Sequence, residues 1–337
     1  MIVFFLLTCY LQVTSLSQTK NNAIDWFESA NKKYELYNFR GAIADFTEAI
    51  NLKTDYSDAF YGRGKAKSSL KDYEGAIADY TEALKLKPDY IDAYNYRGYA
   101  KSELKDYQGA VADFTKAVDL KPDNAYAYHH RAHAKAQLKD YQGAIADYTE
   151  AIKLNPDYFQ SFFEKGKAEV EFKDYQGAIT DFTELIKLSP DNALAYNSRG
   201  NVNFLLKDYQ GAIADYNEAI KLQPDYIEAY NNSGRAKYKL NDYQGAITYF
   251  TYAIDKKPNY AEAYNNRGIA KSDLKDYQGS LNDCTLAIKA KPDFSEAFYN
   301  RGRTFLMLNQ KGDARIDFMK ARELGYTVSQ DTLDLCK

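Results

Sequence analysis

Apolar and polar positions along this chain follow a helical rhythm that restarts at fixed intervals. In the stretch Ser57–Tyr90, apolar and small residues recur at helical spacing at Ala59, Phe60, Gly64, Ala66 and Leu70. A second set does the same at Tyr73, Ala76, Ile77, Tyr80, Ala83, Leu84 and Leu86. The pattern predicts two helices broken at Lys71-Asp72, with Asp72 as N-cap of the second. Pro88-Asp89 ends that helix and leaves Asp89 to cap the first helix of the following stretch. The unit so described is a helical hairpin.

The hairpin repeats. Pro88, Pro122, Pro156, Pro190, Pro224, Pro258 and Pro292 stand 34 residues apart. One glycine series (Gly41, Gly75, Gly109, Gly143, Gly177, Gly211, Gly245, Gly279) and a second (Gly64, Gly98, Gly166, Gly200, Gly234, Gly268, Gly302) run in step. A fixed period of this size means one supersecondary unit stacked on itself. With Pro88 at position 32, nine units follow: 23–56, 57–90, 91–124, 125–158, 159–192, 193–226, 227–260, 261–294 and 295–328. Residues 1–17 read as a candidate signal peptide, 18–22 as a short lead-in and 329–337 as a tail. A glycine inside a helix costs about 1 kcal/mol relative to alanine. Its recurrence at two positions therefore predicts crowding between the paired helices at Gly64 and Gly75, with Tyr80 filling the gap opposite, and predicts that a bulky residue at Gly143 destabilises its repeat and both neighbours.

The aromatic-x3-Gly run, the Ala-x3-aromatic-x2-Ala run and the proline at position 32 resemble the tetratricopeptide repeat (TPR) throughout 23–328. The resemblance implies an all-α fold, a right-handed superhelix of antiparallel helix pairs with a concave groove lined by the first helices. The end units are the least regular, as a solenoid that must close its core requires. Unit 23–56 has Trp26, Ala30 and Thr54 at key positions, and the last unit ends at Gly325, a candidate helix C-cap.

One departure from the family pattern carries charge. Before the first glycine, where the family has leucine, stand Arg63, Arg97, Arg131, Lys165, Arg199, Arg267 and Arg301. The second helices answer with Asp45, Asp79, Asp113, Asp147, Asp181, Asp215, Asp283 and Asp317. Unit 227–260 lacks both partners, with Ser233 and Tyr249, which points to an Arg–Asp pair inside each repeat; independent surface charges are the alternative.

The resemblance places the groove at positions 2, 5, 6, 9, 12 and 13 of each unit. In the C-terminal half these hold Asn197, Asn201, Asn231, Asn232, Asn265, Asn266 and Asn300. Asparagine is a poor helix residue, and its amide both donates and accepts, so such a series could hold the backbone of an extended peptide. A copied repeat whose polar positions drifted little would look the same. Tyr61, Tyr99, Phe163, Phe204, Tyr238 and Tyr299 share the face as candidate apolar anchors. The family's clamp for a C-terminal carboxylate needs a lysine at position 5, and no unit has one. All three histidines fall in one repeat, and His129 and His133 have the spacing of a two-histidine metal site; local drift is the competing reading. Glu103 or Glu171 would have to supply a third ligand.

The chain carries 44 basic and 47 acidic residues, a net charge of -3, with no basic stripe of the kind nucleic acid requires. Its three cysteines give no disulfide framework. The run Ile2–Val13 is too short to cross a bilayer, which takes about 20 residues. It suits a signal-peptide core, with Ser15-Leu16-Ser17 as the cleavage site, although no basic residue precedes it. A membrane-proximal anchor or an incidental apolar tail are the other readings. No nucleophile–base pair, phosphate loop or cofactor site stands out. The expectation is therefore a non-enzymatic, exported (secreted, periplasmic or envelope) scaffold that binds a peptide or protein partner in its groove without cofactor, nucleic acid or a membrane span. A self-assembling structural component, homo-oligomeric through its repeats, is the alternative.

Overall fold

The computed structural model describes residues 22–336, and the described residues are helical throughout, with turns between. Eighteen helices form nine consecutive pairs, and a short helix, Gln330–Asp334, follows. First helices begin at position 1 of each unit (Ala23, Ser57, Ile91 and onward) and second helices at position 17 (Phe39, Tyr73, Tyr107 and onward). By contacts the chain divides into two compact units, Met1–Ala168 and Glu169–Lys337, each described here by itself. Within each unit a second helix packs on its own first helix and on the first helix of the next pair.

A single large side chain per second helix anchors each hairpin. Phe46, Tyr80, Phe114 and Tyr148 in the first unit are almost fully buried, as are Phe182, Tyr216, Phe250 and Phe318 in the second. Burying one such ring is worth roughly 1.5–3 kcal/mol. The glycine series of Gly64 exists to admit it: a Cβ on Gly64 would lie 2.6 Å from Cε1 of Tyr80, and one on Gly234 2.6 Å from Cε1 of Phe250. Cys284 takes the ring's place in unit 261–294, fully buried, with its thiol pushed up to about 12 by desolvation.

The glycine series of Gly75 and Gly143 has another cause than the one expected. A Cβ on Gly75 or Gly143 would strike the carboxylate of Asp72 or Asp140, the N-cap of its own helix, and not the partner helix. Each of these aspartates accepts the glycine N–H, at 3.0 Å in both cases. The glycine makes room for the cap. Crowding between helices marks the Gly64 series; outside it, Gly62 faces Phe46 at 2.5 Å and Gly177 faces Glu169 at 2.9 Å.

Capping of the first helices also differs from expectation. Asp89 is not the N-cap; Tyr90 is, and it makes no side-chain cap bond. Position 34 decides the matter: Asn124 and Asn192 accept the N–H of Ala127 and Ala195 at 3.1 Å, whereas Tyr56, Tyr226, Tyr260 and Phe294 do not cap. Between paired helices the chain turns through a left-handed residue without using glycine, from Tyr37 (φ 59°) and Lys71 (φ 64°) to Asn309 (φ 58°). The turn is closed by Asp72 N–H to Lys67 C=O at 3.0 Å and Lys71 N–H to Ser68 C=O at 2.9 Å, a Schellman arrangement. Gly325 (φ 88°) ends the last pair in the same way.

The arginine–aspartate pairs exist and extend further than the sequence suggested. Arg63, Arg97, Arg131, Arg199, Arg267 and Arg301 each grip an aspartate sixteen residues on through Nε and Nη2; for Arg97 and Asp113 the distances are 2.9 and 2.6 Å. The remaining Nη1 crosses to the preceding repeat, where it donates to a threonine hydroxyl, as Arg97 does to Thr81 at 3.1 Å. In four of these repeats a lysine one turn later completes the group around the acid, as Lys101 does at 2.7 Å from Asp113, and in unit 193–226 Asn203 takes its place. The fork geometry of the guanidinium thus ties three helices across two repeats. In unit 23–56, Ser29 and Lys33 serve Asp45 instead. In unit 227–260 Tyr249 donates to Asn217 of the preceding repeat at 2.8 Å, so arginine, aspartate and threonine are replaced together.

Candidate functional site

In the second unit the asparagines expected to await a ligand bond to one another. Asn232 Nδ2 donates to Asn197 and Asn201 at 3.3 and 3.2 Å, Asn266 to Asn231 at 3.1 Å, and Asn300 to Asn265 at 3.0 Å. The rule is constant: position 6 of one repeat donates to position 5 of the repeat before. Asn201 also accepts the hydroxyl of Tyr216 at 2.9 Å, and Asn265 reaches Glu296 at 3.5 Å. Asn197, Asn231, Asn265 and Asn300 are buried. Buried amides of this kind are satisfied groups, and their first task is to align successive first helices.

The same face opens into a hollow of about 200 Å³ lined by Phe204, Arg235, Tyr238, Lys239, Phe250, Asn266 and Ile269. Arg235 sits with its guanidinium carbon 4.9 Å from the centre of the Phe204 ring, a cation–π contact. Tyr238 donates to Asp273 at 2.6 Å, and burial together with that carboxylate raises its phenol well above the ordinary range. Phe204, Tyr238 and Asn266 were legible as site candidates. Arg235, Lys239 and Ile269 were not, although position 9 varies here, with asparagine, arginine and isoleucine succeeding one another. Tyr299 is engaged elsewhere, its ring 5.5 Å from Phe318 and 4.6 Å from Tyr326 at the end of its own repeat.

In the first unit Tyr61 lines a second hollow, of about 170 Å³, with Phe27, Asn31, Tyr34, Lys65 and Tyr90 among its walls. Tyr61 packs on Tyr90 and Tyr96 with ring centres 4.8 and 5.7 Å apart, and Lys65 Nζ stands over Tyr34 at 4.8 Å. Tyr99 meets the edge of His130 at 5.9 Å, and Phe163 carries Lys167 Nζ at 5.5 Å from its centre. These rings are half-buried packing residues with one accessible side.

The histidines form an aromatic nest. His129 stacks on Tyr158 with ring centres 4.5 Å apart and shares a 2.8 Å hydrogen bond through Nδ1 with the hydroxyl of Ser161. His130 lies against Tyr126 and Phe114 at 4.1 and 5.7 Å. Burial, reinforced by the neighbouring imidazoles, lowers His129 to about 4 and His130 to about 3. His133 stands half-exposed in the same helix. Among the described residues no group of three or more histidine, cysteine, aspartate or glutamate side chains could hold a metal ion. No helix among them is long and apolar enough to cross a membrane. The leader 1–17 lies outside the described residues.

Comparison with known proteins bears on this architecture. Tetratricopeptide-repeat family models match residues 57–90, 91–124, 125–158, 163–227 and 231–293. A search of curated proteins found no match. Among solved structures, a tetratricopeptide repeat protein from Parabacteroides merdae is 18% identical with a TM-score of 0.58, covering 73% of this chain and 98% of its own. The C-terminal part of a TPR repeat-containing protein from Cytophaga hutchinsonii is 17% identical with a TM-score of 0.60, covering 72% and 99%. YrrB, described as a TPR protein with an unusual peptide-binding site, is 22% identical with a TM-score of 0.46, covering 55% and 95%. The repeat matches, the tandem helix pairs and the ring-into-glycine packing agree, and the chain belongs to the tetratricopeptide-repeat family.

Proposed function

We propose that this protein is a non-catalytic interaction scaffold that holds a peptide or a segment of a partner protein against the first-helix face. The observation that carries the reading is the hollow bounded by Phe204, Tyr238 and Ile269. It combines aromatic walls with polar and charged rims, the composition of a peptide anchor site. The paired asparagines Asn231, Asn265 and Asn300 enter the proposal as the frame of this face. Capture with the full chain, followed by mass spectrometry, tests it beside a Phe204→Ser/Tyr238→Ser variant of unchanged helicity. Partners lost with the variant support the face; partners retained by it move binding elsewhere.

A second reading, self-assembly, draws on the C-terminal end, where Ile316, Met319 and Leu335 are exposed beside a hollow of about 520 Å³ that includes Met319 and Leu333. Light scattering over a concentration series separates the two, since a strict monomer disposes of assembly. Export through the leader is part of the proposal; N-terminal sequencing of the protein recovered from its host should begin at Gln18.

A further inference from the structure

Every unit but one carries a side chain at position 6 of its first helix; unit 57–90 has Gly62 there. A Cβ on Gly62 would lie 2.5 Å from the Phe46 ring, so the hollow of the first unit opens over this glycine, with Phe46 at its floor and Phe27, Tyr34, Tyr61 and Tyr90 around it. Two charged groups line the same hollow, both half-buried and both from helix Ser57–Ser69. Asp58 and Lys65 stand seven residues apart with Tyr61 between them, two turns or about 10.5 Å along the axis. The other bases of this helix, Arg63 and Lys67, both bind Asp79. Among the described residues Asp58 and Lys65 form no ion pair. Asp58 accepts the Tyr90 phenol, which burial and this carboxylate together raise above the ordinary range; a carboxylate has further lone pairs to offer. Lys65 Nζ lies over the rings of Tyr34, Tyr61 and Tyr96 at 4.8, 5.6 and 5.7 Å. The rings hold the ammonium in place and leave its N–H bonds for an acceptor. Asp92, on the next first helix, adds a second negative charge near Tyr61.

We infer that this hollow is a site for a free α-amino acid with an apolar side chain, its ammonium on Asp58, its carboxylate on Lys65 and its side chain on the rings above Gly62. The inference stands apart from the groove reading, which rests on the second unit. A ligand with one charge meets a like charge here: an anion faces Asp58 and Asp92, and a bare cation faces Lys65. A zwitterion pairs with both. A residue inside a peptide has neither charge, since both its ends are amides. Helix side chains lean toward the N-terminus, and Lys65 reaches back over Tyr61, four residues before it, so its ammonium lies nearer Asp58 than two turns of backbone imply. The adjoining charges of one amino acid then bridge the gap through a charge-assisted bond at each end, of about 2.7–2.9 Å. Asn31, on the helix before, lines the hollow with an amide that makes no hydrogen bond among the described residues, a further donor and acceptor for the ligand. Size agrees: the hollow is about 170 Å³, below the roughly 300 Å³ at which drug-sized sites begin.

Ligand-observed NMR titration of the full chain tests this with L-phenylalanine, phenethylamine, 3-phenylpropionate and N-acetylphenylalaninamide. Phenylalanine should bind with a Kd of about 1 mM or tighter, as a ligand of this size allows. The two singly charged analogues and the neutral amide should each bind at least about tenfold more weakly, the loss expected for one charge-assisted bond. Asp58→Asn should weaken phenylalanine by a like factor and 3-phenylpropionate not at all. Lys65→Gln should weaken phenylalanine and not phenethylamine, and both variants should keep the parent's thermal unfolding. Equal binding of phenethylamine or 3-phenylpropionate overturns the zwitterion. Equal binding of the amide makes the hollow an anchor for a peptide side chain and overturns the inference, as does no binding of phenylalanine. A preference for phenylalanine that survives both substitutions overturns the assignment to Asp58 and Lys65.

Discussion

Two glycines eleven residues apart in one repeat should respond unequally to the same substitution. Alanine at position 64 brings a Cβ to 2.6 Å from Cε1 and 2.8 Å from Cδ1 of Tyr80, where ordinary contact starts at 3.4 Å. Tyr80 is fully buried, so the ring must shift by most of an ångström within a close-packed core. Overpacking of this kind costs about 1–3 kcal/mol, and the helix gains back roughly 1 kcal/mol from alanine. Gly64→Ala should therefore destabilise by up to about 2 kcal/mol. At position 75 the new Cβ meets only the exposed carboxylate of Asp72, which can rotate into water. The cap is lost at about 1 kcal/mol and the alanine returns about the same, so Gly75→Ala should fall within roughly 0.5 kcal/mol of the parent. Urea unfolding followed by circular dichroism measures both midpoints. Hydrogen exchange should confine the Gly64→Ala loss to unit 57–90 and its neighbours, because arrays open unit by unit. Equal losses, or a larger loss at Gly75, would refute the division of the two series into packing and capping glycines.

Other parts of the structure yield further expectations. A double-mutant cycle with Arg97→Met and Asp113→Asn should show a coupling of about 1.5–3 kcal/mol, and Thr81→Ala should cost about 1 kcal/mol; zero coupling would reduce the pair to surface decoration. The imidazoles of His129 and His130 titrate in the fold at about 4 and about 3, below the ordinary 6.5, so the unfolded chain binds more protons between those values and stability must fall as pH drops below 6.5. The slope approaches 1.4 kcal/mol per pH unit for each group. His129→Asn/His130→Tyr, which copies Asn95 and Tyr96 of the preceding repeat, should flatten the decline in melting temperature between pH 6.5 and 4.5; an unaltered profile would assign the acid sensitivity to other groups. At Lys105 (φ 64°) glycine removes a left-handed penalty of about 1–2 kcal/mol and costs about 0.5–1 kcal/mol in chain entropy. Lys105→Gly should therefore raise the unfolding midpoint slightly, whereas Lys105→Val should lower it.

Much of this fold is written in residues that can play only one part. Asp72 before a helical run caps it, Pro88 ends one, and a glycine opposite Tyr80 admits a ring, so hairpin and register follow from the chain alone. The arginine–aspartate pair showed through because unit 227–260 lost both members together. Thr81 and Lys101 stayed hidden: each is an ordinary helix-surface residue until the next repeat is placed against Thr81 and the second helix of its own repeat against Lys101. Lys71 gives no hint of its left-handed backbone, since lysine has no preference for that region. Asp89 and Tyr90 adjoin, and one residue of offset decides which begins the helix. The asparagines were visible as a series, but their mutual bonds run between residues 35 apart in sequence and depend on how the repeats stack. Arg235 was passed over because a repeat is read by what recurs, and its meaning lies in what does not.

The bond from each network arginine to the threonine of the preceding repeat has a bearing on how such a chain can change its length. Donor and acceptor sit at the same two positions of most units, so a duplicated or deleted 34-residue segment meets its new neighbour with the join already furnished. Gene-level slippage can then lengthen or shorten the array without any compensating change. The junction between units 193–226 and 227–260 is an exception, for Asn217 and Tyr249 match only each other. A crossover there would set Tyr249 against a threonine or an arginine against Asn217. These two units must travel through duplication as a couple, and Arg235 travels in the same block.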